Sequence, residues 1–198
     1  YNRAAISIYR YDSYELKLSN QLRFSLDSLI FFGYMKNKGF ENGLLMDFKP
    51  HKIYYATVIE EADKGNYAIL PLLAQYKNPN DRQRINKLLK DNLKKAGECS
   101  YEACEAISNW NDPAFEWYAK AACQATIKQE DYYAWDILHL LCAYPAPWSY
   151  QILKKLLTQK GDYSNSDTAK DYLRERYKTR PVPPIFKPLY DRYVARKK

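Results

Sequence analysis

Apolar residues recur along the middle of the chain in groups spaced for one face of a helix. In the clearest group, apolar side chains stand at the first, second, fourth, fifth and eighth positions from Ile137 to Tyr144. A strand would alternate every two residues, whereas this spacing covers one helical face. Pro147 then interrupts the chain, and a second apolar group follows it. The pattern predicts a helical hairpin whose two helices are joined at a proline turn.

The hairpin pattern occurs three times at a 34-residue spacing, without gaps. The corresponding positions run from Ile69, Ala103 and Ile137 at the start to Pro79, Pro113 and Pro147 at the turn. Asn78 and Asp112 precede two of these prolines, where an Asx side chain caps a helix that begins with proline. Such self-similarity indicates stacked units, because one hairpin cannot bury its own apolar face.

The repeats occupy residues 66–161 and predict an all-α fold, a right-handed α-solenoid of about three hairpins. We expect residues 1–65 and 162–198 to form N- and C-terminal capping segments of the same single domain. The repeat positions that face the core should be buried. These positions are Leu70, Leu73, Leu88, Ile107, Ala122, Leu138, Leu141 and Leu156.

The two capping segments contain weaker helical signals. In the first, the pattern predicts a helix over 19–36 and another that opens at Pro50 and ends before Gly65, because glycine favours the position after a helix. In the second, three prolines between Thr179 and Pro184 exclude a continuous helix. We therefore expect a charged helix before these prolines and a short helix after them.

The turn residues resemble those of a known repeat family. Asn78-Pro79-Asn80-Asp81-Arg82 and Asn111-Asp112-Pro113, each followed by a second helix, resemble the turns of HEAT-type repeats. The resemblance covers about half the chain and concerns the fold. The period equals that of tetratricopeptide repeats, but their Trp-x2-Leu-Gly pattern is missing. HEAT-like proteins bind macromolecules along a concave face lined by their second helices, and the resemblance implies the same here.

Charge is distributed unevenly between the predicted helices of a chain with a formal net charge of +8. The predicted second helices, 81–95, 113–128 and 147–160, are rich in Lys and Arg, whereas acids dominate the first helices of repeats two and three. Charge on a helix usually marks a solvated face, but its segregation by helix layer makes a surface for an acidic partner an equal alternative. The candidate partner-binding residues are Arg82, Arg84, Lys87, Lys120, Trp148, Tyr150, Lys154 and Lys155, with Tyr118 as a further aromatic candidate.

The sequence contains no motif for catalysis or for a cofactor. The GxSxG, P-loop, GxGxxG and HExxH patterns are absent. His139 lies within an apolar stripe but off its buried face, which favours a structural or surface role. A zinc site is not expected, since CxxC spacing is absent and His51 and His139 stand apart from the cysteines. We therefore expect a protein that is not an enzyme and has neither metal nor cofactor.

The four cysteines leave the redox state open. They are Cys99, Cys104, Cys123 and Cys142. Cys104 and Cys123 align with leucines in the sister repeats, which favours small core residues. An even count also permits disulfides in an oxidising compartment, with three possible pairings. Because the chain begins at Tyr1 rather than Met, the sequence also leaves the compartment open.

Three functional hypotheses follow. The first is a module that binds an acidic protein, for example a bacterial immunity protein that neutralises a toxin. The second is nucleic-acid binding of the kind found in HEAT-like alkylpurine DNA glycosylases, although Trp117, Trp148 and Arg82 match no motif of that family. The third is a structural subunit of a larger assembly. No apolar run approaches the roughly 20 residues of a membrane span.

Overall fold

The computed structural model describes residues 28, 31–32, 49–96, 100–128, 134–158 and 165–195. The chain divides into two compact units, residues 1–48 and 49–198. Residues 28, 31 and 32 are helical, and the rest of the helix predicted over 19–36 lies outside the described residues. The predicted boundary between the N-terminal cap and the repeats, at residue 65, falls inside the second unit.

Every regular element of the described residues is helical, which confirms the predicted all-α class for this part of the chain. Three of the helices are entered through a short 3₁₀ turn, and a π-helical turn, Tyr190–Val194, follows the last helix. In chain order the helices are α1 (Lys52–Asp63), α2 (Leu70–Gln75), α3 (Arg82–Ala96), α4 (Tyr101–Trp110), α5 (Glu116–Thr126), α6 (Ala134–Ala143), α7 (Pro147–Thr158), α8 (Asn165–Arg176) and α9 (Lys187–Leu189).

The ends of α1 are set by a histidine cap and a glycine. Nδ1 of His51 accepts a hydrogen bond of 3.3 Å from the backbone amide of Ile53. The helix therefore begins at Lys52, two residues after the predicted start at Pro50. Gly65 has a φ of +81°, in the left-handed region that glycine tolerates best. It stands just after the end of the helix, as predicted.

The Asx-Pro turns cap two of the second helices as predicted. The Asn78 side chain accepts a hydrogen bond of 3.1 Å from the backbone amide of Asn80. The Asp112 side chain accepts one of 3.0 Å from the backbone amide of Ala114. Each following proline opens a single 3₁₀ turn that continues into α3 or α5. In the third copy no Asx residue precedes the proline, and α7 begins directly at Pro147.

The helices contact one another in regular steps along the chain. The first helices are α2, α4, α6 and α8, and each packs against the next member of this series. The second helices are α3, α5 and α7, and they also pack in succession. Helix α1, which the sequence assigned to the N-terminal cap, packs against both α2 and α3. Helix α8 packs against both α6 and α7, so it covers the last hairpin.

The core lies between these two series of helices. All eight positions predicted to be buried are at most 1% exposed, which confirms their predicted burial. Repeat two has alanine and cysteine where its sister repeats have leucine. Phe115 and Tyr118 are both fully buried there. The same repeat therefore buries two large rings together with its small side chains.

The cysteines divide into bonded and free ones. Cys104 is disulfide-bonded, although it is also buried as the repeat alignment predicted. Cys123 and Cys142 are free, buried thiols, and Cys99 lies outside the described residues. The preference for a purely apolar role of Cys104 was therefore incomplete, since repeat alignment reports burial and not covalent pairing.

Truncation of a core leucine should destabilise the fold. Leu141→Ala removes a side chain that is 0% exposed, so we expect the free energy of unfolding to fall by about 2–5 kcal/mol. Chemical denaturation followed by circular dichroism measures this change. The control is Gln151→Ala, at an exposed position of α7, which should change the value by less than about 0.5 kcal/mol. An unchanged midpoint for Leu141→Ala would contradict the assigned core.

Thiol titration should separate the bonded from the free cysteines. Cys123 and Cys142 are buried, and burial raises the pKa of Cys142 to about 11. Both thiols should therefore react slowly with a chromogenic disulfide reagent in the native protein. In denaturant without reductant, two thiols per chain should titrate, and all four cysteines should react after reduction. Four reactive thiols without reductant would show that Cys104 is not bonded.

Candidate protein interface

The second helices carry a set of exposed lysines. No ion pair within the described part of the chain involves them. An ammonium group that forms no ion pair with the described residues keeps its charge available to a partner. The set consists of Lys87, Lys90 and Lys94 on α3, Lys120 on α5, and Lys154 and Lys155 on α7.

Several of these lysines occupy equivalent repeat positions. Lys120 and Lys154 are 34 residues apart, and Lys87 and Lys155 are 68 apart. Since α3 packs against α5 and α5 against α7, equivalent side chains on these helices should project in similar directions. We call Lys87, Lys120, Lys154 and Lys155 the lysine row. All four are predicted partner-binding residues, and all four are exposed.

Arg84, another predicted partner contact, is engaged inside the chain. Its Nε lies 2.5 Å from a carboxylate oxygen of Asp63, and its Nη1 lies 2.8 Å from one of Asp81. The Asp81 carboxylate is 2% exposed and also accepts a hydrogen bond of 2.7 Å from the Tyr55 hydroxyl. The bond from Arg84 holds the pKa of Asp63 below its usual value. A partner would have to compete with these bonds for Arg84.

Arg82 and Trp148 each connect neighbouring hairpins. Nε of Arg82 donates a hydrogen bond of 2.8 Å to the Asp112 carboxylate, while the Arg82 side chain stays 47% exposed. Nε1 of Trp148 donates one of 2.8 Å to the Glu116 carboxylate, and its ring is half-buried. Tyr150 is half-buried as well. These predicted contacts therefore lie at the surface but are partly used for packing between hairpins.

Trp117 is an exposed aromatic side chain next to the lysine row. Its indole is 37% exposed, and its Nε1 donates a hydrogen bond of 2.7 Å to the Asn86 side chain on α3. This bond orients the ring across two second helices. From the sequence, Trp117 is a candidate only for the glycosylase alternative. Comparison of the repeats could have found it, because the equivalent residues, Gln83 and Gln151, are polar and so indicate a surface position.

Tyr118 is buried, so its predicted role as an aromatic contact is wrong. The residue is 0% exposed, and its hydroxyl donates a hydrogen bond of 2.9 Å to the buried Asn92 side chain. Consecutive helical residues point about 100° apart, so Trp117 and Tyr118 lie on different faces of α5. The tyrosine lies on the side that faces the core.

Two further findings concern the described part of the chain. It contains no group of three His, Cys, Asp or Glu side chains arranged to hold a metal ion. None of its helices has both the length and the apolar character needed to cross a membrane.

His139 is half-buried, and its ring contacts those of Trp135 and Tyr172.

The contribution of Arg84 to stability can be separated from that of a neighbouring charge. Arg84→Ala leaves the buried Asp81 carboxylate without its cation, so we expect a loss of about 1–3 kcal/mol of unfolding free energy. Lys87→Ala removes an equal charge from an exposed position one turn along α3. That control should change stability by less than about 0.5 kcal/mol. Urea denaturation measures both variants, and equal effects would contradict a structural role for Arg84.

The chain was compared with protein-family models, curated proteins and solved structures. No protein-family model matches the chain, and neither a curated protein nor a solved structure shows significant similarity to it. The resemblance to HEAT-type repeats therefore stays a prediction that rests on the turn residues and the repeat spacing. The chain's own surface is the remaining source of information on its function.

Proposed function

We propose that the protein is a non-enzymatic binding module whose second helices contact an acidic protein. Its architecture in this proposal is a right-handed, HEAT-like solenoid of about three hairpins. Stepwise packing of the helices and burial of equivalent repeat positions support that architecture. The observation that carries the functional proposal is the lysine row, which is exposed and forms no ion pair with the described part of the chain.

The row and Trp117 supply different parts of the binding energy. Exposed charges mainly accelerate association and select the partner by its potential. A large aromatic side chain held in a defined orientation supplies affinity, since interface hot spots are enriched in tryptophan. Trp117 has this character because Asn86 fixes its indole while 37% of the residue remains exposed.

An acidic protein suits this surface better than a nucleic-acid backbone. Half-buried Asp91 and Glu116 also belong to the second helices, and their carboxylates would repel closely spaced phosphates. A protein partner can place its own cations or neutral groups opposite them. By analogy, a compact module of this kind could act as an immunity protein that covers an acidic surface of a toxin. This form of the proposal rests on analogy alone.

Charge reversal in the lysine row tests the proposal. The immobilised full chain, the double variant Lys87→Glu/Lys155→Glu and the control Lys178→Glu/Lys187→Glu are each exposed to native lysate. The control makes the same change of charge at exposed lysines outside the second helices. Wild type and control should retain the same acidic protein, and the row variant should associate with it about tenfold more slowly or worse. Equal association by all three would show that the row is only a solvated surface.

Loss of the aromatic anchor should act on dissociation. Trp117→Ala should weaken binding of the captured protein by about 2 kcal/mol, or roughly thirtyfold, mainly through faster dissociation. Trp135→Ala is the matched control, because Trp135 is also exposed but belongs to the first helix α6. Surface plasmon resonance gives both rate constants. Similar effects of the two substitutions would argue against a specific anchor at Trp117.

The nucleic-acid alternative predicts a different response to salt. The exposed lysines and Trp117 could also contact phosphates and bases, and such binding to random duplex DNA would weaken steeply as salt rises. Titration of fluorescent duplex at two salt concentrations measures this response. Tight, salt-sensitive DNA binding that Lys87→Glu/Lys155→Glu abolishes would favour the alternative. Growth rescue on co-expression with a candidate toxin would favour the immunity form.

A further inference from the structure

Three rings meet where α6 and α8 pack together. Trp135, His139 and Tyr172 contact one another edge to face, with centroid distances of 5.8, 5.1 and 5.1 Å. Tyr172 is buried and His139 half-buried, whereas Trp135 is 48% exposed. The indole is therefore supported from inside the protein while much of its surface is open to solvent. An exposed, supported indole can stack on a planar ligand.

Arg176 lies one helical turn beyond Tyr172 on α8. Its Nη1 donates a hydrogen bond of 3.0 Å to the Tyr172 hydroxyl, and its guanidinium carbon lies 5.9 Å from the centre of that ring. The side chain is half-buried. Within the described part of the chain no carboxylate pairs with it, in contrast to Arg84 and Arg174. A partly buried cation without a counter-charge is costly, so an anion from outside would be bound favourably.

Two tyrosine hydroxyls lie beside this guanidinium, and a second arginine follows it four residues along the chain. Burial raises the pKa of Tyr172 to about 12, so its hydroxyl keeps a proton that it can donate. The hydroxyl of Tyr177 is buried beside Arg176 and the Cys142 thiol. Arg180 is exposed, and its positive charge partly opposes the effect of burial on the pKa of Tyr172. The surroundings therefore offer donors and positive charge.

His139 does not add to this charge at neutral pH. Partial burial, reinforced by the nearby Arg176, lowers the pKa of its imidazole. The ring is consequently neutral at pH 7 and contributes as a flat, mostly apolar surface. The charge of the cluster is thus provided by arginine, and both Arg176 and Trp135 contact the Tyr172 ring.

We propose that Arg176, Arg180, Tyr172 and Trp135 form a binding site for a phosphate monoester attached to a planar ring, the chemistry of a nucleotide. The guanidinium of Arg176 and the Tyr172 hydroxyl bind the phosphate, as arginine readily does with oxyanions. A phosphate monoester carries nearly two negative charges at pH 7, and Arg180 supplies the second positive charge that balances them. The planar ring stacks on Trp135, as bases do on aromatic side chains.

The dimensions of the cluster agree with such a ligand. The Trp135 ring lies 5.1 Å and the Arg176 guanidinium carbon 5.9 Å from the same Tyr172 centroid. A ligand that binds both groups would therefore have to bridge no more than the width of the Tyr172 side chain and its two contacts. The site belongs to the first helix α6 and to α8 with the residues that follow it, and it does not depend on the proposed role of the second helices. A free mononucleotide and the phosphorylated end of a single strand share this chemistry.

Calorimetric titration of the full chain tests the site. The probes are adenosine 5′-monophosphate, adenosine, inorganic phosphate and a 5′-phosphorylated single-stranded tetranucleotide, all at low salt. Adenosine monophosphate should bind more tightly than either adenosine or phosphate alone, since only it uses both halves of the site. Absence of heat up to millimolar monophosphate, or equal binding of adenosine, would overturn the proposal.

Substitutions identify the groups that bind the ligand. Arg176→Gln should lower the affinity for the monophosphate by about ten- to a hundredfold, the range expected for a lost charge-assisted bond. Lys178→Gln makes the same change of charge at an exposed position nearby and should leave the affinity within about twofold. Wild-type affinity in Arg176→Gln, or an equal loss in Lys178→Gln, would show that no built phosphate site exists.

Trp135→Ala should weaken binding of the monophosphate and leave binding of inorganic phosphate unchanged. Trp117→Ala, on the second helices, should affect neither, so failure of this site and failure of the protein interface can be told apart. If circular dichroism shows that Arg176→Gln is misfolded, Arg180→Gln replaces it, because Arg180 is exposed. Wild-type affinity for the monophosphate in both Arg180→Gln and Trp135→Ala would overturn the proposal.

The tetranucleotide distinguishes the two sources of the ligand. Tighter binding of the tetranucleotide than of the monophosphate would identify the end of a single strand as the ligand. Equal or weaker binding would identify a free mononucleotide. Both results require the loss of affinity in Arg176→Gln, and binding that persists in that variant would contradict the site.

Discussion

Burial of each helix face against neighbouring hairpins is the interaction on which the described structure depends. Helix α2 has only six residues, and an isolated helix of that length is not stable in water. Its helical form therefore depends on packing, chiefly against α4 and α1. Equivalent positions such as Leu70, Cys104 and Leu138 are all buried. The hydrophobic contribution thus comes from contacts between hairpins more than from any single helix.

This packing also determines which charges remain at the surface. Asp81 and Asp112 belong to the turns before the second helices, and both carboxylates are buried. A buried carboxylate needs a partner, and Arg84 and Arg82 provide it. The arginines of these helices are thereby used in folding. The exposed lysines are left as the charges that a partner can reach, which is why the proposed interface rests on lysine and Trp117.

The two proposed sites differ in the cost of an unpaired cation. An exposed lysine is well hydrated, so the lack of an ion pair costs little free energy and does not by itself indicate a binding site. The argument for the lysine row is its regular placement on three successive second helices. Arg176 is half-buried and lacks a carboxylate among the described residues, which does cost stability. Local departures from good pairing of this kind are expected where a protein binds a ligand.

From the sequence alone, the helical class, the burial of the eight core positions and the two Asx-Pro caps could be predicted. Each of these features depends on residues within one helix or one turn, so the local pattern of apolar and capping residues indicates them. The apolar character of Trp117 and Tyr118 is alike, so this property alone did not separate the exposed ring from the buried one. Only the tertiary structure brought Arg82 to Asp112, 30 residues along the chain, and Trp135 to Tyr172. Which side chains meet across hairpins depends on how the helices pack, and a repeat pattern does not encode it.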